Sequence, residues 1–131
     1  MYRFLMMLLL AITSGNAAAE WIKVGVNSND TYTAYVDISH MRKIDNKVKI
    51  WVLFDFKKVQ IKFSNEPILS AKMQTEYDCK DVKERLIHLT QFAGNMGEGK
   101  VVLTFGAPTE WEPVAPGSTG DAVWKMVCGS S

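Results

Sequence analysis

Glu76-Tyr77-Asp78-Cys79 closes the stretch Ser70–Cys79, and the reading of that stretch decides the fold. Residues alternate along it. Met73, Thr75, Tyr77 and Cys79 share one face, and Lys72, Gln74, Glu76 and Asp78 share the other, which is the period of a strand. Cys79 therefore lies on the inward face, where a disulfide could join a helix packed there. The chain has two cysteines, and the second stands in Trp124-Lys125-Met126-Val127-Cys128, near the C-terminus. A bond between them pins the tail to the middle of the domain across a sequence separation of 49 residues. Chain-entropy reasoning assigns a loop of that size about 4 kcal/mol of stabilisation.

The N-terminus bears on whether such a bond can persist. Arg3 supplies a positive start, Phe4 to Ile12 is an uninterrupted apolar run, and Ala17-Ala18-Ala19 offers the small residues a signal peptidase reads. Residues 1–19 read as a secretory leader cut between Ala19 and Glu20, leaving one domain over 20–131. The apolar run is too short for the roughly 20 residues needed to span a bilayer, and no second stretch is longer. No cysteine stands at the cut, so there is no lipobox. An exported chain keeps disulfides, and Cys79 and Cys128 are expected to be bonded.

Fifteen Lys and Arg oppose 14 Asp and Glu in the whole chain. Cleavage removes Arg3 and brings the balance to neutral. A neutral, mixed surface argues against nucleic acid as the main partner.

On either side of Ser70–Cys79 the chain reads mostly as strands. Glu20–Val26 is a first strand, Asn27–Asp30 a turn, and Thr31–Asp37 the return strand. Ile38–Asp45 is mixed and is expected to turn the chain over. Lys47–Phe56 alternates most clearly, with Val48, Ile50, Val52, Phe54 and Phe56 towards the core and Lys47, Lys49, Trp51, Leu53 and Asp55 away from it. Trp51 and Leu53 call for cover by a loop or the C-terminal helix, or else mark a binding face. Ser64–Pro67 signals a loop.

Val82–Ala93 is ambiguous. Val82, Leu86, Leu89 and Ala93 have helical spacing, and Asp81 and Glu84 have that of a capping box. As a strand, the segment would form a hairpin through Asn95-Met96-Gly97-Glu98-Gly99 with Val101–Phe105. Ala107–Pro116 holds three prolines and reads as extended, with Trp111 as an anchor into the core. A short helix follows over Ala122–Cys128, capped by Ser118 or Thr119 and held by Val123, Trp124 and Val127.

An ordered set of short motifs runs through the mature chain. It comprises Tyr35-Val36-Asp37, Val48-Lys49-Ile50-Trp51, Ser70-Ala71-Lys72, Glu76-Tyr77-Asp78-Cys79, Met96-Gly97-Glu98-Gly99, Trp111, Pro116-Gly117-Ser118 and Val127-Cys128. The set resembles the surface-adhesin protein E-like family of exported bacterial proteins. The resemblance implies an α+β, mostly β fold: a small antiparallel sheet of about six strands with one short C-terminal helix fastened by the disulfide. It also implies that Arg85–Phe92 is a strand, and that the partner is a host extracellular-matrix or plasma protein such as vitronectin, laminin or plasminogen. No host contact carries over residue by residue.

Chemistry-bearing residues are sparse. His40 and His88 are the only histidines, and Asp37 and His40 alone are too few for a metal site. Ser39 and Ser118 sit in no nucleophile motif, and Gly94–Gly99 lacks the residues of a phosphate loop. The expectation is a non-catalytic, adhesin-like binding protein with no cofactor and no metal. It would act by strand addition at a sheet edge or through an aromatic and basic face formed by Trp51, Phe63, Lys57, Lys58 and Lys62. The alternative is a soluble periplasmic structural or assembly factor. Periplasmic, secreted and cell-surface locations are all left open, as is a homodimer.

Overall fold

The computed structural model describes residues 19–27, 29–61, 65–106 and 108–129. The leader over 1–18 lies outside the described residues, as do Lys62 and Phe63. Six strands form one antiparallel meander in chain order: β1 (Trp21–Val26), β2 (Tyr32–Ile44), β3 (Lys47–Gln60), β4 (Ile68–Asp78), β5 (Lys83–Phe92) and β6 (Val101–Gly106). A two-residue strand, β7 (Glu112–Pro113), pairs with the start of β5. The helix α1 (Thr119–Cys128) ends the fold.

The alternation in β3 does what its period dictates. Val48, Ile50 and Val52 are buried on one face, and Val36 of β2 and Tyr77 of β4 join them. Helix α1 lies on this face and contributes Val123 and Val127, while the extended segment before it contributes Val114. Ser118 caps the helix by accepting from the Asp121 amide at 3.1 Å. Trp124 donates to the Asp78 carbonyl at 3.0 Å. The Cys79–Cys128 bond joins the end of β4 to the last helical residue, with Cα atoms 5.3 Å apart. The helix is short, so packing and this bond hold it rather than propensity.

Three sequence expectations need correction or completion. Val82–Ala93 is a strand, not a helix. Its inner edge pairs with β4 throughout, and its outer edge is shared by β6 and β7. Val82 itself sits at φ 53°, a turn position that no helix start provides. Ile38–Asp45 does not reverse the chain, because β2 runs on to Ile44 and the turn falls at Asp45-Asn46. A bulge absorbs the mixed sequence, since Asp37 pairs with Trp51 whereas Arg42 pairs with Lys49. Trp111 is not the core anchor of the proline-rich segment. Val114 is, and Trp111 stays half-exposed under Arg85, whose guanidinium carbon lies 4.5 Å from its ring centre.

Candidate functional site

Helix α1 covers one face of the sheet only. On the other, the register lines up one row across five strands: Trp21, Asp37, Trp51, Gln74 and His88. The aromatic members are half-exposed. Lys72, one position along β4, lies between the two indoles, with Nζ 5.8 Å from the Trp21 ring centre and 5.4 Å from that of Trp51. The His88 ring meets Trp51 edge-on at 5.9 Å, and its Nδ1 is buried without a hydrogen-bond partner. The array is held by cations and ring edges rather than by a hydrophobic layer above it.

Cover exists at one end. The β5–β6 turn folds onto this face, where Ser70 Oγ donates to the Gly94 carbonyl at 2.6 Å and accepts from the Gly97 amide at 2.8 Å. Asp55 accepts from the Met96 amide at 2.8 Å and from the Asn95 side chain at 2.9 Å. Gly97, at φ 72°, passes close over Leu53 and Lys72, where a Cβ would stand 3.7 Å and 3.3 Å from their nearest carbons. Leu53 is thus buried under a loop, and Trp51 is left half open.

At the opposite end runs a charged row: Arg42, Lys49, Glu76 and Arg85. Arg85 grips Glu76 through both Nε and a terminal nitrogen, each at 2.7 Å. Glu76 is 6% exposed, so its charge is neutralised inside the sheet surface. Asp37 is buried too. Burial would raise its carboxyl, but bonds from Ser39 and His40 and the nearby His40 charge outweigh that and hold it below the usual range.

Ser39, His40 and Asp37 are the types of a nucleophilic triad, but not its geometry. Ser39 Oγ donates to Asp37 at 2.5 Å, and His40 meets both Asp37, at 2.6 Å, and Ser39, at 3.1 Å, through the same nitrogen, Nδ1. A triad needs the hydroxyl on the far nitrogen of the imidazole. These three side chains stitch the β2 bulge together. Among the described residues no cluster of three His, Cys, Asp or Glu is placed to hold a metal.

The structure brings Trp51 together with residues the sequence reading did not connect to it. Lys57 lies six residues along β3 from Trp51, about 20 Å away, and is ion-paired with Asp30. Lys58 is exposed beside it. Lys62 and Phe63 lie outside the described residues. Trp21, Lys72, Arg85, His88 and Trp111 are the neighbours that sequence reasoning missed. Alternation had placed Lys72, Gln74 and Glu76 on one face of β4, and the cross-strand register alone adds that this is also the Trp51 face.

The surface-adhesin protein E model matches residues 21–129. The chain belongs to that family. The surface-adhesin fold is also shared with crystal structures of Haemophilus influenzae protein E. One matches with a TM-score of 0.64 at 12% identity, covering 86% of this chain and 90% of that one. Another matches at 0.62 and 12%, covering 86% of each chain. Protein E from a non-typeable strain matches at 0.58 and 13%, covering 88% of this chain and 78% of that one. No curated protein sequence matches. Membership makes the chain adhesin-like. Among the described residues no helix is long and apolar enough to cross a membrane.

Proposed function

We propose that this adhesin-family chain is exported by a leader over residues 1–19, cut between Ala19 and Glu20. Residues 20–131 then act without catalysis by holding a protein partner against the open face of the sheet. The observation that carries this reading is the half-exposed row of Trp21, Trp51 and His88 with Lys72 between the indoles. Tryptophan and a desolvated cation on a rigid sheet are the residue types that anchor protein interfaces. A host matrix or plasma protein fits the family resemblance.

Protease treatment of intact cells against osmotically shocked cells, read with antibody to residues 20–131, tests the location. Cleavage on intact cells, followed by binding to immobilised vitronectin or laminin, supports the reading. Protection until shock overturns the host partner and moves the search to envelope proteins.

A further inference from the structure

A groove of about 580 Å³ opens beside Trp51, between the β2 bulge and the β3–β4 surface, and its cations have no partners. Arg42, Lys47 and Lys49 line it, all exposed, and none makes an ion pair among the described residues. The carboxylate that lines it, Glu76, is already neutralised by Arg85. Lys47 pairs across the strands with Asp78, but the Asp78 carboxylate accepts the Lys80 and Asp81 amides at 3.0 Å each and closes the turn. A chain with a formal net charge of +1 therefore concentrates unpaired positive charge in one place.

We propose that this groove binds an acidic polysaccharide, a linear glycan bearing sulfate or carboxylate groups. Arg42 and Lys49 face each other across neighbouring strands, about 5 Å apart, and Lys47 stands two residues along β3, about 7 Å on. That spacing suits repeated anionic groups on one chain better than a single phosphate. Trp51 offers a ring face to a sugar, and Ser39 and Gln74 offer neutral hydrogen-bonding groups to hydroxyls. The groove is open and shallow, which accommodates a polysaccharide running through it. An acidic peptide would bring apolar side chains that find no deep hole here. This proposal stands apart from the protein-binding reading, because the groove would take a free glycan whether or not the open face holds a protein.

The test uses protein purified after expression of the full chain, with heparin oligosaccharide as probe and its desulfated form, polyglutamate and duplex DNA as comparators at physiological salt. Saturable heparin binding, weakened about tenfold by Lys47→Gln with Lys49→Gln and unchanged by Lys57→Gln with Lys58→Gln, supports the proposal. These side chains are exposed, and near-ultraviolet dichroism with an intact Cys79–Cys128 bond verifies that each variant is folded. No heparin binding overturns it, as does equal loss from the Lys57 and Lys58 variant. Equal or tighter binding of polyglutamate or DNA also overturns it, making the groove an acidic-peptide site or a general polyanion surface.

Discussion

The two faces of one sheet are built on opposite rules. On the covered face, Val36, Val48, Ile50 and Val52 are removed from water by α1, and the Cys79–Cys128 bond keeps the helix there. On the open face, Trp21 and Trp51 are steadied from the side by Lys72, and Glu76 by Arg85. Apolar burial at about 25 cal/mol per Å² gives the first face most of the stability. Half-exposed rings and ion pairs give the second little stability and much surface chemistry. The comparison teaches that Trp51 and Ile50, adjacent in sequence, serve different ends: one holds the fold and the other faces a partner.

The largest effect is expected from the covered face. Replacing Cys79 and Cys128 together by alanine is expected to cost about 4 kcal/mol, read as a lower guanidinium midpoint. Ile50→Ala, at a site with no exposure, is expected to cost about 2–5 kcal/mol. Lys72→Gln on the open face removes a cation from two rings and is expected to cost about 1 kcal/mol or less. A loss from Lys72→Gln that matched Ile50→Ala in the same denaturant series would erase the distinction between the faces.

The smallest effect concerns a misfit on the covered face. Glu84 Oε2 is buried with no hydrogen-bond partner, close under Gly120 of α1. Burial, and then repulsion from Glu112, raise the Glu84 carboxyl above its ordinary 4.5. A carboxyl raised in the folded state contributes stability that is present below the ordinary value and lost as pH rises through the raised one. Glu84→Gln is therefore expected to stabilise the protein at neutral pH, with the gain vanishing as pH falls below 4.5. A gain that persists in acid would assign the effect to packing instead.

Much of the covered face was legible because a period of two needs no partner to be seen. Val48, Ile50 and Val52 declare it, as do Met73, Thr75 and Tyr77 on β4. The β5 segment was not legible locally. Leu86 and Leu89 fit either period, and the pairing with β4 and β6 overrode the helical spacing. The bulge at Ile38–Met41 was hidden as well, because its cause is side-chain bonding among Asp37, Ser39 and His40. Trp51 stood out as an apolar residue on a polar face, but its sequence neighbours Lys57 and Lys58 proved remote. Its spatial neighbours come from four other strand segments, and the register that joins them is a property of the whole sheet.

Trp51→Ala puts the reading to its most direct test. The variant and the parent would be compared side by side for binding to immobilised vitronectin and laminin and for melting temperature. The account predicts that matrix binding falls at least tenfold while the melting temperature drops by only a few degrees, since the ring is half-exposed. Undiminished binding, or a collapse of stability like that of Ile50→Ala, would contradict it and return Trp51 to the core.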